Sequence, residues 1–235
     1  MHPKQTAILR YLLDEFLPAV VRENRLLMSL LFRLWYKHPE AVDLFMNFKD
    51  TVHTMTEEEY RLAYIKHENR ASARATDAFQ ETLDWIMARI DPQARTLLDV
   101  GCGNGSWIEQ CTRFNLQLTG CDIYDHVHLQ SATYQRADIE HLPFPDQSFD
   151  IVTCLFVLEH TRHLDRALSE LKRVTRQQLF LAVPCQRYFK YTFDTHLHFF
   201  YSPAYFRSIV GIEHSECSLI GLKKAGQIVL AARCD

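Results

Sequence analysis

The stretch Leu97-Leu98-Asp99-Val100-Gly101-Cys102-Gly103-Asn104-Gly105 constrains this chain more than any other. Aliphatic residues flank an acid and run directly into three alternating glycines. Such a pattern describes a hydrophobic strand ending in a turn, where bare backbone comes close to whatever occupies the strand's carboxyl end. A Cβ would block that approach, or would oppose the positive φ of a tight turn. In an open α/β sheet this edge is where nucleotide-like cofactors bind. A dinucleotide fingerprint reads G-x-G-x-x-G, with its pyrophosphate on a helix N-terminus. Here the third glycine comes one residue early and Ser106-Trp107 follow it. The spacing is wrong for a hydride-transfer enzyme.

The downstream sequence continues the pattern. Leu116–Asp122 reads as a second strand ending in an acid, 17 positions after Gly105. A carboxylate there can accept both hydroxyls of a ribose. Ala137-Asp138-Ile139-Glu140 precedes Leu142-Pro143-Phe144, and Asp146-Gln147-Ser148-Phe149-Asp150 leads into the apolar run Ile151–Val157. That run ends in Leu158-Glu159-His160. Taken in order, these segments resemble the class I S-adenosylmethionine-dependent methyltransferases, whose first motif commonly reads V-L-D-x-G-C-G-x-G. The L-P-F, S-F-D-x-V and L-E-H segments resemble the small-molecule branch, which includes the ubiquinone- and menaquinone-biosynthesis enzymes. The resemblance runs from Thr96 onward; the residues before it carry no pattern that names a family.

Hydrophobic periodicity divides the chain near Asp91-Pro92. Upstream the pattern is helical: Ile8, Leu12, Leu13, Phe16 and Leu17 before Pro18, then Val20 to Tyr36, then a short helix opened by Pro39. Thr56 followed by Glu57, Glu58 and Glu59 reads as a cap and an acidic first turn. A long helix is expected from there to Ile90, with or without a break. Downstream, strands are expected at Thr96–Val100, Leu116–Asp122, Tyr134–Arg136, Phe149–Leu155, Gln178–Val183, Cys217–Leu222 and Gln227–Arg233. Helices are expected at Ser106–Phe114, Leu164–Thr175 and Pro203–Val210. The pattern thus predicts an α/β fold with seven strands. The resemblance supplies a Rossmann-like order of 3-2-1-4-5-7-6 with strand 7 antiparallel. Residues 1–92 then form a helical extension, an acceptor-side lid, and residues 93–235 the cofactor-binding core.

The resemblance implies S-adenosyl-L-methionine as cofactor and S-adenosyl-L-homocysteine as product. Gly101, Gly103 and Gly105 would pass beneath the methionine and ribose. Asp99 would turn toward the turn amides or the cofactor's ammonium, and Asp122 would hold the ribose. Asp138 and Ile139 would face the adenine, with Ile123 packing on its face. Leu155 and Phe156 would lie beside the methionine moiety. Asp138 has a second reading, as the cap of the turn before Leu142.

Methyl transfer is an in-line displacement at a sulfonium, so the protein mainly aligns the nucleophile and excludes water. Oxygen or nitrogen is the expected acceptor atom, and a base is needed only where the acceptor must lose a proton. The segment Pro184–Pro203 carries Tyr188, Phe189, Tyr191, Phe193, Phe199, Phe200 and Tyr201. That density suggests an aromatic-lined acceptor pocket, to which Arg187, Tyr188 and Tyr191 would contribute. Its ending, His198-Phe199-Phe200-Tyr201-Ser202, resembles a family pattern that opens the next helix, so those aromatics read as structural. His160 and His196 are the candidate bases, although the L-E-H ending also reads as scaffold for His160. Tyr60, Tyr64, His67 and Arg70 form a stripe on the N-terminal helix, and Tyr64 and His67 are candidate acceptor contacts. The stripe reads equally as a face packed on the domain. His196-x-His198 with Asp194 is a weak metal signal alone, and no metal is expected.

Composition narrows the function classes. The net charge is −3 and basic residues are scattered, so no cationic face points to a nucleic-acid substrate. Seven cysteines at irregular positions, without C-x-x-C, suit reduced thiols in the cytoplasm. Leu26–Tyr36 is too short, and carries Arg33, for the roughly 20 apolar residues of a membrane span. The expected partner is a small-molecule acceptor, with neither nucleic acid nor membrane; a homo-oligomer stays open. Two alternatives remain: a protein-directed methyltransferase and a non-catalytic cofactor-binding subunit or regulator. No N-P-P-[YF] motif follows strand four, where Leu155-Phe156-Val157-Leu158 stands instead.

Overall fold

The structure is a computed structural model and describes residues 16–35, 39–71, 77–125, 127–192, 194–221 and 226–234. A seven-stranded sheet organises it: β1 (Thr96–Val100), β2 (Gln117–Asp122), β3 (Thr133–Arg136), β4 (Phe149–Leu155), β5 (Thr175–Pro184), β6 (Ser215–Ile220) and β7 (Gln227–Arg233). The order is β3-β2-β1-β4-β5-β7-β6. The pairs β1–β2, β1–β4, β2–β3 and β4–β5 are parallel, whereas β7 runs antiparallel to both β5 and β6. This is the expected seven-stranded topology.

The central strands read as continuous apolar runs because both faces of the sheet are covered. On one face Leu98, Val100, Val152, Cys154 and Leu181 pack against Leu168 and Leu171 of the helix Leu164–Val174 and Phe206 of the helix Pro203–Val210. On the other, Leu97, Ile151, Phe180 and Val229 meet Leu83 and Ile86 of the helix Gln80–Met87 and Ile108 of the helix Ser106–Cys111. The helix Gln80–Met87 lies upstream of the boundary expected at residue 92, yet it belongs with the sheet. Gln227 on β7 fixes it there: its Oε1 accepts from Phe79 N–H at 2.9 Å and Thr82 Oγ1 at 2.7 Å.

The helices that stand apart from the sheet are α1 (Ala19–Arg22), α2 (Arg25–Trp35), α3 (Pro39–Thr51) and α4 (Glu57–Ala71). Val20 to Tyr36 was expected as one helix, but the chain breaks between Arg22 and Arg25, where Asn24 Oδ1 accepts from the amides of Leu26 and Leu27. The long helix expected from Thr56 to Ile90 is two, α4 and Gln80–Met87. The start of α4 is a reciprocal cap: Thr56 N–H donates to Glu59 Oε2 at 2.8 Å and Glu59 N–H to Thr56 Oγ1 at 3.3 Å. Met28, Phe32, Val42, Phe45 and Met46 form a small core of their own, completed by Tyr191 from the loop after β5.

α4 lies across the carboxyl edge of the sheet and is tied to it at several points. Arg61 pairs with Asp125 after β2 at 3.3 Å. The Tyr60 hydroxyl donates to the His160 carbonyl after β4, and Arg162 donates to the Met55 carbonyl at 2.9 Å. From α3, Lys49 Nζ donates to the Phe189 carbonyl at 2.6 Å. No helix among the described residues is long and apolar enough to cross a membrane, and the seven cysteines are thiols rather than disulfides.

Candidate functional site

Strand order reverses around β1, so the connections after β1 and β4 leave in opposite directions and open a crevice at the carboxyl edge. The glycine turn lines it. Gly101 and Cys102 donate their amides to the Cys121 carbonyl at 2.8 and 3.0 Å, which locks the turn onto the end of β2. Gly105 has φ +80°, and a Cβ there would lie 2.3 Å from Leu129 Cδ2. At Gly103 a Cβ would meet nothing within 4 Å. The space over this residue is open, and its amide donates to Asp122 Oδ2 at 2.8 Å.

Three acids stand at the carboxyl ends of neighbouring strands: Asp99 on β1, Asp122 on β2 and Asp138 just beyond β3. Asp122 is buried; its Oδ1 accepts from the Ile123 amide at 2.7 Å, and burial outweighs these bonds to hold its pKa above the ordinary range. Asp99 is fully enclosed, and desolvation pushes its pKa up to about 7. Its Oδ1 accepts from Thr153 Oγ1 on β4 at 2.7 Å, and Thr153 in turn accepts from Trp107 Nε1 at 3.1 Å. Asp99 is therefore anchored across the sheet rather than on the turn amides. Asp138 Oδ1 accepts from the Glu140 amide at 2.9 Å, as its turn-capping reading anticipates. Burial, with Glu140 and Glu57 nearby, raises its pKa too.

β4 ends in strain. Phe156 has φ +61°, a left-handed conformation that is costly for a bulky side chain. Its amide donates to the Ala182 carbonyl at 2.8 Å, which holds it. Val157, next along, closes the floor beneath Gly101, whose Cβ would fall 2.1 Å from Val157 Cγ2. Leu155 and Phe156 pack against the core face that holds Trp107, and Ile139 packs against the opposite one.

Beyond β4 the turn Leu158–His160 meets α4 and the loop after β5. The His160 ring lies 5.2 Å from Tyr64 and 4.9 Å from His196, edge-on to both. His160 Nδ1 is 3.1 Å from Thr195 Oγ1, and His196 Nδ1 is 2.7 Å from Gln186 Oε1 and 3.4 Å from Asp194 Oδ2. Glu159, almost wholly buried, completes the group, with Oε1 4.0 Å from His160 Nε2.

Residues 98–183 match the family described as "Methyltransferase domain". Residues 98–183 therefore carry a methyltransferase domain, and S-adenosylmethionine is the cofactor such a domain implies. The chain is 34% identical over 102 residues to a demethylmenaquinone methyltransferase of Thermobifida fusca, covering 38% of this chain and 43% of that one. It is 33% identical over 97 residues to a ubiquinone biosynthesis O-methyltransferase of Coxiella burnetii, covering 37% and 42%. The chain spans about half the length of the curated relatives it matches. Among solved structures, a Haloferax volcanii methyltransferase in complex with the Trm112 methyltransferase activator superposes with a TM-score of 0.58 at 14% identity. That match covers 77% of this chain and 99% of that one, and shows the fold alone.

The methyltransferase domain's cofactor carries a sulfonium and an ammonium against one carboxylate, and so a net positive charge. The edge suits it: burial disfavours the charged forms of Asp99, Asp122 and Asp138, and a cation beside them favours those forms.

The acceptor residues separate more widely than the sequence suggests. His160, His196 and Tyr64 come together. Tyr191 does not: it is buried among Met28, Phe32 and Phe45. Arg187 and Tyr188 are exposed, Tyr188 lying edge-on to Phe199 at 5.2 Å. The aromatics after β5 therefore serve largely to dock the helical extension. The side chain of His67 and residue Phe193 lie outside the described residues. His198 turns away from His196 and bonds the Thr161 carbonyl at 2.8 Å. Glu159 and Gln186 were not singled out as site residues in the sequence; the L-E-H segment was the only signal for the former.

Proposed function

We propose that this chain transfers a methyl group from S-adenosylmethionine to a small aromatic or quinone-like acceptor, at oxygen or nitrogen. One observation carries the reading. The cluster of Tyr64, His160 and His196 stands at the end of β4, beside the strained Phe156 and under α4, on the acidic cofactor edge. The cofactor supplies the activated methyl and its own leaving group. Asp122 orients the ribose, and Asp99 and Asp138 favour the cationic form at the edge. Tyr60 and Tyr64 on α4 close the site from solvent, so the nucleophile meets the methyl in a dry setting. Where the acceptor bears a proton, His160 and His196 are placed to receive it, and Thr195 and Gln186 orient their rings. The relatives named for menaquinone and ubiquinone biosynthesis support an acceptor of this class.

The test is to incubate the protein with methyl-labelled cofactor and a cell extract divided into low-molecular-mass, protein and nucleic-acid fractions. Label entering the low-molecular-mass fraction is expected. Label confined to protein or nucleic acid would contradict the acceptor class. Cofactor binding without transfer to any fraction would favour a regulatory subunit.

A further inference from the structure

The loop after β5 and the turn after β4 bring a carboxylate and two imidazoles to one point. One ligand atom from each of Glu159, His160 and His196 lies within 4.8 Å of the other two. Their ring nitrogens are already divided by role. The amide oxygen of Gln186 only accepts, so His196 Nδ1 carries the proton in that 2.7 Å bond and the lone pair resides on Nε2. A second group that fixes the tautomer in this way is the usual companion of a ligating histidine. His160 engages Thr195 through Nδ1 at 3.1 Å and turns Nε2 toward Glu159 Oε1. Two nitrogens and one carboxylate oxygen are the donors of a transition metal, whereas magnesium and calcium take oxygen almost throughout. Three protein ligands also leave a coordination position open, as catalytic sites require.

We propose that Glu159, His160 and His196 form a binding site for one divalent transition-metal ion of the zinc or cobalt type. The donors need to close by about 1 Å to reach tetrahedral bond lengths, a side-chain rotation rather than a rearrangement of the fold. An acceptor hydroxyl held at the open position loses its proton to water at a lower pH than a free hydroxyl does. In that form the imidazoles act as ligands, and proton acceptance by His160 is not needed. The acceptor-holding role rests on the methyl-transfer reading; ion binding does not.

The test is calorimetric titration of the chelator-stripped full chain with zinc, alongside visible spectra with cobalt. One ion per chain is expected, with cobalt bands of nitrogen and oxygen ligation. Binding should weaken at least ten-fold in both His160→Gln and Glu159→Gln. His160 is half-buried, so its variant keeps the test alive if the Glu159 variant does not fold, and a thermal melt checks each. Absence of stoichiometric binding, binding unchanged in His160→Gln, or thiolate-to-cobalt bands from the free cysteines would each overturn the site. A chain that binds the ion at these residues yet transfers no methyl would keep the site and remove the proposed activity.

Discussion

Asp122 ties the glycine turn to the end of β2, because its two oxygens hold the amides of Gly103 and Ile123 in place. Asp122→Ala removes charge-assisted hydrogen bonds worth about 1.5–3 kcal/mol each. Cofactor affinity measured by calorimetry should fall at least roughly 10- to 100-fold, the loss of one such bond; unchanged affinity would remove the ribose assignment. Asp99 makes a prediction about pH. Its folded pKa, pushed up to about 7, exceeds that of an unfolded carboxyl, so the folded chain holds a proton that the unfolded one has released. Stability should therefore rise as pH falls from 7 toward 5, by at most about 1.4 kcal/mol per pH unit for one proton. Asp122 and Asp138 act with the same sign. His198, whose pKa burial lowers, acts against it. The contribution of Asp99 is thus the difference between the parent and Asp99→Asn in urea melts across this range; parallel pH profiles would contradict its raised pKa. The positions of Asp99 and Asp122 at strand ends were legible from the sequence. The anchor of Asp99 on Thr153 was not, because it depends on which strand lies beside β1.

The strands were legible because a sheet buried on both faces writes itself as apolar runs, and Gln227–Arg233 appears with the bounds its pattern gives. The helical part was less so. Asn24 breaks one expected helix by accepting two amides, a local competition that apolar periodicity does not register. The aromatic loop after β5 was read as a pocket because aromatics serve docking and ligand binding alike, and only the packing of Tyr191 on Phe32 and Phe45 separates the two uses. The same reasoning makes α4 testable as an element. Tyr60 bonds the His160 carbonyl, whereas Tyr64 lies edge-on to its ring. Tyr64→Ala should raise the acceptor KM several-fold while leaving cofactor affinity within two-fold, as read by steady-state kinetics and calorimetry. Equal losses in both would make α4 a general support for the cofactor edge rather than the acceptor's cover.

At the scale of the whole molecule, one half carries a motif-rich sheet and the other a helical extension whose sequence names nothing. They meet along the carboxyl edge of the sheet and the loop after β5: Arg61 reaches Asp125, Tyr60 reaches His160, and Lys49 reaches Phe189. Burial lowers the Lys49 pKa to about 8, a cost the extension bears to seal the loop after β5. The acidic edge around Gly103 fits a cationic adenosyl cofactor. Calorimetric titration of the full chain with S-adenosylmethionine, S-adenosylhomocysteine and NADH tests it most directly. Saturable one-to-one binding of both sulfur compounds, and none of NADH, is expected. Binding of NADH, or of neither sulfur compound, would contradict it.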